Sequence, residues 1–277
     1  MNFRKKIYPQ FVKDNINFKE TQNSCISEDE IQKLYEILHP LNDGKNVETR
    51  PSVEYDDLST YYGEWAVNTK KRHGRGIQVW IDGKKYEGYW QDDKPNINGK
   101  LIYSDGDIYE GEWKDGKAHG KGRFSPISGA RYEGDWKDDK KDGYGKEEWP
   151  DGSFYIGDYK NGEKNGFGTF IWSDGSTYKG NFKDNKMNGK GIYIWADERK
   201  YDGDWKNNQM NGKGVFTWPD NRRYEGEFKN DKKEGFGLYE YGDGNKYEGE
   251  WKNGKQSGEG KIYNKFMKTW KKCIIKN

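Results

Sequence analysis

From Tyr61 to Tyr263 apolar and polar positions alternate in short runs, and glycine punctuates the runs. In YEGEW, Tyr109, Gly111 and Trp113 fall on one side of an extended chain and the two glutamates on the other. Past the next glycine pair the alternation resumes: Gly168, Phe170 and Trp172 share a side, as do Gly214, Phe216 and Trp218, and Gly237, Tyr239 and Tyr241. A period of two predicts strands. The segments between them read KDG, KNG, SDG and PDG, which supply the positive backbone φ that tight hairpin turns require.

The runs recur. A Tyr-x-Gly-x-aromatic motif begins at Tyr61, Tyr86, Tyr109, Tyr132, Tyr155, Tyr178, Tyr201, Tyr224 and Tyr247. From Tyr86 onward every step is 23 residues (109 − 86 through 247 − 224); the first is 25 (86 − 61), which places two extra residues near NTKKRH. The fifth position of the motif is Trp65, Trp90, Trp113, Trp136, Tyr159, Phe182, Trp205, Phe228 and Trp251. A Gly-x-Gly follows in most units, as at Gly120 and Gly122, whereas the second unit has Ile97 in place of the first glycine and keeps Gly99. Each unit is therefore predicted to be two antiparallel strands, with successive units pairing edge to edge. The predicted fold class is all-β: an elongated, twisted, single-layer antiparallel β ribbon or solenoid of nine ~23-residue β-hairpin repeats, with a short N-terminal helix and a short helical or irregular C-terminal tail. Glycine inside a strand normally weakens it, so its regular use needs a cause. A bare Cα lets a ring from the adjacent strand lie flat over the backbone.

Composition sharpens this picture. Only 31% of residues are hydrophobic and 35% are charged, with a mean hydropathy of −1.34, which by itself leans toward disorder. Against that stand 12 Trp, 21 Tyr and 37 Gly at fixed spacing, enough ring surface to be buried locally without one deep core. The net charge of +2, from 49 basic and 47 acidic residues, gives no global basic field, so no nucleic-acid partner is expected. Cys25 and Cys273 lack metal-ligand spacing and fit a reducing compartment. The start, MNFRKKIYPQFVKDN, has no apolar stretch, so no signal peptide is expected, and no run approaches the ~18 apolar residues of a membrane-spanning helix. A cytoplasmic protein is the expectation.

YEGEWKDGKAHGKG and its eight relatives resemble the MORN repeat (membrane occupation and recognition nexus) over residues 61–263. Departures are the longer first unit, Ile97, Pro126 in the third unit's second strand, Glu147 where a ring is expected, and Glu198 and Asn221 in place of turn glycines. Pro126 cannot donate to a strand ladder, so a local irregularity is expected there. The resemblance implies a twisted, elongated ribbon serving as a scaffold or docking surface, and a few members of the family carry enzymatic domains beside the repeats. It also implies membrane junctions, protist cytoskeletal assemblies or ciliary radial spokes as settings, and in some members end-to-end homodimers.

Outside the repeats, residues 1–23 read as an extended arm and 24–60 as a short helical cap. SEDEIQKLYEILHP is a helix with a Ser27/Glu30 capping box, an apolar stripe of Ile31, Leu34, Tyr35 and Leu38, and Pro40 as its stop; it is expected to cover the first repeat's open edge or ring face. The following LNDGKN fails as a calcium loop, because the first, third and twelfth ligand positions would fall on His39, Leu41 and Arg50. Residues 264–277 form a basic tail. If helical, it sets Phe266, Trp270, Cys273 and Ile274 on one face and Lys268, Lys272 and Lys276 elsewhere; the alternative is that Phe266 and Trp270 cap the last hairpin.

No catalytic, cofactor or metal constellation emerges. Histidines 39, 73 and 119 are scattered, the carboxylates recur with the repeat, and HGKGRF lacks the third glycine and Lys-Ser/Thr of a phosphate loop. Two functions remain. In the first, a helix or extended peptide of a partner docks on an aromatic face of Trp113, Trp136, Tyr159, Phe170, Trp172, Trp195, Trp205, Trp218, Tyr241 and Trp251, within a cytoskeletal or ciliary assembly. In the second, Lys-rich turns and a tail of Phe266, Lys268, Trp270, Lys271 and Lys272 tether the chain to the anionic cytoplasmic face of a membrane.

Overall fold

Two backbone devices, both written in the turn residues, set the hairpins. The computed structural model describes residues 26–275, so the expected arm at 1–23 lies outside the described residues. The chain divides into two compact units, residues 1–140 and 141–277. The first holds α1 (Glu28–Ile37), β1 (Val47–Glu54), β2 (Thr60–Ala66), β3 (Arg72–Val79), β4 (Lys85–Gln91), β5 (Lys94–Ile102), β6 (Ile108–Lys114), β7 (Lys117–Ser125) and β8 (Arg131–Lys137). The second holds β9 (Lys140–Glu148), β10 (Phe154–Lys160), β11 (Glu163–Ile171), β12 (Thr177–Lys183), β13 (Lys186–Ile194) and β14 (Lys200–Lys206). It continues through β15 (Gln209–Thr217), β16 (Arg223–Lys229), β17 (Lys232–Glu240), β18 (Lys246–Lys252), β19 (Lys255–Asn264) and β20 (Thr269–Ile275). Within each unit every strand pairs antiparallel with the next, as predicted for an all-β repeat chain.

The first device is the two-residue turn inside each repeat after the first. Both central residues have positive φ, for example Asp115 (51°) and Gly116 (82°), or Asn230 (48°) and Asp231 (65°), the combination whose twist matches the flanking strands. The second is a bulge just after the turn. The first glycine of each Gly-x-Gly sits there at positive φ, as Gly166 does at 111°. The position-four carboxylate crosses the hairpin to accept the freed amide: Phe167 donates to Asp158 Oδ2 (2.9 Å) and Lys213 to Asp204 Oδ2 (3.0 Å). These acids are structural. The extra residues of the first repeat lie between Ala66 and Arg72, where a longer loop replaces the two-residue turn.

The core of each unit is a column of rings. Tyr at position one lies across the two glycines of its own hairpin and is at most 1% exposed in every repeat. A Cβ added at Gly237 would sit 2.5 Å from Tyr224 Oη and 2.6 Å from its Cζ and Cε2, so glycine is obligatory for the ring to lie there. The phenol donates to the backbone carbonyl three residues on, as Tyr224 does to Glu227 (3.0 Å). The position-five ring then stands edge-on between that Tyr and the Tyr of the preceding repeat. In the second unit Tyr201–Trp205 and Tyr178–Trp205 have centroids 5.2 and 5.5 Å apart at 85° and 83°. Tryptophan at this position also donates to the preceding repeat, Trp205 Nε1 to Gly191 O at 3.0 Å and Trp251 Nε1 to Gly237 O at 3.2 Å.

Three expectations need correcting. First, the 24–60 cap contains a strand as well as a helix. β1 takes the open edge of β2, so α1 covers neither that edge nor the ring face. α1 begins at its predicted capping box and packs Leu34 and Leu38 onto Ile77 of β3, on the side of the sheet opposite the rings. His73, fully buried beneath this cap, pairs through Nε2 with Asp43 at 2.7 Å. Second, Pro126 lies outside β7, at the first position of the turn that follows it. Its carbonyl still accepts from Gly129 (2.9 Å), but it cannot make the amide bond that Tyr103 and Trp149 make there, and the β7–β8 ladder stops at Phe124 and Tyr132. Third, the tail is neither helical nor irregular. Residues 269–275 form β20, which completes the edge of β19 with Tyr263 opposite Trp270 and Gly260 opposite Cys273.

Candidate docking surface

Burial separates the predicted aromatic site into two sets. Trp113, Trp136, Tyr159, Trp205 and Trp251 belong to the columns, are no more than 9% exposed, and are committed to packing between tyrosines. Phe170, Trp172, Trp195, Trp218 and Tyr241 lie on the same face but beyond the columns, and keep part of each ring in solvent. They belong to a second file of rings that runs through the second unit. Trp149 stacks on Phe170 (5.4 Å, 25°), Phe170 meets Trp172 (4.5 Å), Trp172 meets Tyr193 (5.1 Å), and Tyr193 meets Trp195 (4.5 Å). The file continues from Trp195 to Phe216 (5.2 Å), Trp218 (4.4 Å), Tyr239 (5.8 Å) and Tyr241 (4.8 Å).

Position in the repeat explains the difference. Phe170, Tyr193, Phe216 and Tyr239 sit opposite the column tyrosines across a strand pair, Tyr155↔Phe170 and Tyr201↔Phe216 among them. Trp149, Trp172, Trp195, Trp218 and Tyr241 open the turns between repeats, where no further strand covers them; Trp172 N donates to Ser176 O (2.9 Å) and Trp218 N to Arg222 O (3.0 Å). Trp149, Tyr193, Phe216 and Tyr239 were not among the predicted site residues, although whole multiples of the 23-residue period link Trp149 to Trp172 and the other three to Phe170.

Lysines enter this ring face at the tenth position of the repeat. Lys164 Nζ lies 4.9 Å from the Trp149 ring and 5.6 Å from Phe170, and Lys233 Nζ lies 4.3 Å from Tyr239 and 5.1 Å from Trp218. Burial pushes the Lys164 amine below its ordinary range, with Glu147 pulling the other way. Glu147, which replaces a file ring, accepts from Tyr159 Oη (2.9 Å) and Lys141 Nζ (2.5 Å) and stands 4.0 Å from Lys164. Burial, joined by the Arg222 charge, pushes Lys233 down to about 8.

The predicted tail residues come together at the β19–β20 hairpin. Phe266 is 90% and Met267 64% exposed at its tip, between Lys265 and Lys268, and Trp270 leans on Tyr263 (5.2 Å) under Lys261. Lys271 and Lys272 are exposed on β20. Among the described residues no group of three or more His, Cys, Asp or Glu could hold a metal, and no helix is long and apolar enough to cross a membrane.

Serial hairpins with glycine-backed rings inside and an open ring file on one face define a repeat-built interaction module. The MORN-repeat description matches nine segments: residues 70–85, 86–108, 109–126, 132–154, 155–177, 178–198, 201–221, 224–246 and 247–264. The chain belongs to the MORN-repeat family, a non-enzymatic repeat module associated with protein-interaction scaffolds. No curated protein matches it. Among solved structures it is similar to a point mutant of the TCP10 domain of Danio rerio CPAP, with 9% identity, 82% of this chain and 100% of that chain covered, and a TM-score of 0.40. The wild-type domain, in complex with a peptide of Danio rerio STIL, gives 10% identity over the same shares of the two chains and a TM-score of 0.33.

Proposed function

We propose that the chain is a scaffold whose second unit docks a segment of a partner protein on the ring file from Trp149 to Tyr241, within a cytoskeletal or ciliary assembly. The observation that carries this reading is the contrast between the two sets of rings. The columns complete the fold and are closed, whereas Trp172, Trp195 and Trp218 add contiguous, half-open aromatic surface that no strand covers. The cytoskeletal or ciliary setting has the MORN repeats as its only support, through the settings in which other members of the family occur. A photo-crosslinking residue at Trp195 is expected to trap a partner in the native source, while one at Asp202, exposed on the opposite face, traps none. Equal trapping from both positions, or from neither, would sink the reading.

A second reading has one feature in its favour. The Phe266–Met267 tip between Lys265 and Lys268 has the chemistry to enter an anionic headgroup layer. Co-sedimentation with phosphoinositide vesicles that survives physiological salt and disappears in Phe266→Ser would support a membrane tether. Binding unchanged by that substitution would remove the tip from consideration.

A further inference from the structure

The Lys233 ammonium is caged by four rings, with centroids at 4.3 Å (Tyr239), 4.7 Å (Trp251), 5.0 Å (Tyr224) and 5.1 Å (Trp218). Among the described residues no carboxylate lies within ion-pair distance of it. The charge that bears on it is a like one, Arg222, whose Nε is itself held by Asp220 at 2.7 Å. A half-buried ammonium without an anion carries a desolvation cost that ring faces offset only in part. The fold does not require a cation at this position, because the equivalent residues of the two preceding repeats are Met187 and Met210. At the other end of the ring file Lys164 is in a similar situation. Its nearby carboxylate, Glu147 at 4.0 Å, is held more closely by Lys141. The ring file therefore carries buried positive charge at both ends with too little acid to match it.

We infer that the occupant of the ring file is an acidic amphipathic segment of a partner protein, its apolar side chains lying on Trp172, Trp195 and Trp218 and one of its carboxylates pairing with Lys233. The inference rests on the docking reading above and adds the sign of the partner's charge. A carboxylate in the cage restores a fully charged ammonium, so binding takes up a proton and weakens as pH rises past about 8.

The test uses the full chain and two fluorescein-labelled synthetic peptides, one of Leu and Glu in amphipathic helical order and a twin with Gln for every Glu, read by anisotropy. Wild type is expected to bind the Glu peptide about tenfold tighter than its twin, the value of one desolvated ion pair. Lys233→Met, which places a residue the repeat already accepts, should erase that preference and leave the Gln twin's affinity unchanged. Trp195→Ala should weaken both peptides. Equal affinity of the two peptides for wild type, or a preference that survives Lys233→Met, would overturn the charge assignment and leave docking standing. Binding of neither peptide overturns both. Loss of phosphatidylserine-vesicle binding in Lys233→Met, without peptide binding, would give the lysine to a lipid headgroup and overturn the inference.

Discussion

Replacing Gly237 with alanine adds one carbon where the Tyr224 ring already lies. The new Cβ would be 2.5 Å from Oη and 2.6 Å from Cζ and Cε2, well inside van der Waals contact. The ring cannot step aside. It is fully buried, its phenol is bonded to Glu227 O at 3.0 Å, and it is flanked edge-on by Phe228 and Trp251, both at 5.1 Å. Overpacking of this kind costs about 1–3 kcal/mol. Displacing the ring adds about 1 kcal/mol for the hydrogen bond and about 1 kcal/mol for disturbed ring pairs. The sum is about 3–5 kcal/mol. Gly175 is the control: it has φ +87°, and an added Cβ would meet nothing within 4 Å, so alanine there costs only the left-handed penalty of about 1–2 kcal/mol. Guanidinium unfolding, followed by tryptophan emission and far-UV circular dichroism, measures both variants provided the two probes coincide. The backbone of Gly237 is ordinary for any residue, so an argument from φ alone expects alanine to stabilise it by about 0.4–1 kcal/mol through the unfolded chain. If Gly237→Ala proves no costlier than Gly175→Ala, the ring is not what requires glycine and the account of the columns is wrong.

Other consequences follow from single residues. Glu198 holds φ 67° at a turn position filled by glycine in Gly152, Gly175 and Gly244, so Glu198→Gly is expected to raise stability by about 0.5–1 kcal/mol, seen as a higher denaturation midpoint. Trp205→Phe removes the Nε1 bond to Gly191 O while keeping a ring that Phe182 and Phe228 show the site accepts; a loss of about 1–2 kcal/mol is expected in the same assay. Burial raises the phenols of Tyr155, Tyr178, Tyr201 and Tyr224 above their ordinary 10.0. A raised folded-state value means stability that is complete below pH 10 and lost as pH climbs above it. The tyrosinate absorbance contributed by the columns should therefore rise together with loss of the strand dichroism, and ionisation of these rings with the strands intact would contradict their burial.

The hairpins, turns and ring columns were legible because each rests on repeated local chemistry: positive φ at pairs such as Asp-Gly or Asn-Asp in eight repeats, and glycine two residues after tyrosine in all nine. α1 was legible through its capping box. β1 was not, because VETRPSVE contains Pro51, which demotes a strand reading, and because the register shift between Arg50 and Val53 lies in its pairing with β2 rather than in its own residues. For the tail, Phe266, Trp270 and Ile274 fit a helical stripe, yet Trp270, Lys272 and Ile274 also fit a strand. What decides is the open edge of β19, a partner for the backbone that lies outside the tail and that no residue of the tail announces. Likewise, a period of two places Trp205 and Trp218 on one face without saying that the first stands between two tyrosines and the second opens a turn.

A residue that the fold needs is needed equally in every interior repeat, as the position-one tyrosine and the glycines beneath it are. A residue that departs from its equivalents and is unfavourable to the fold has no such reason to be there. Ile97, at φ 65°, and Glu198, at φ 67°, are departures that strain their own backbone and bring no charge into the ring file. Glu147, Lys164 and Lys233 differ in kind. They replace or face rings of a single file, and they are buried charges where Phe or Met would pack more simply. Lys233→Met should accordingly leave the fold more stable at neutral pH, by about 1–2 kcal/mol, the cost of an ammonium held far below its usual 10.5 after allowing for the ring faces. The gain should shrink as pH rises past about 8 and the wild-type amine becomes neutral. A variant that loses stability at neutral pH would show that the lysine serves the fold rather than a partner's carboxylate.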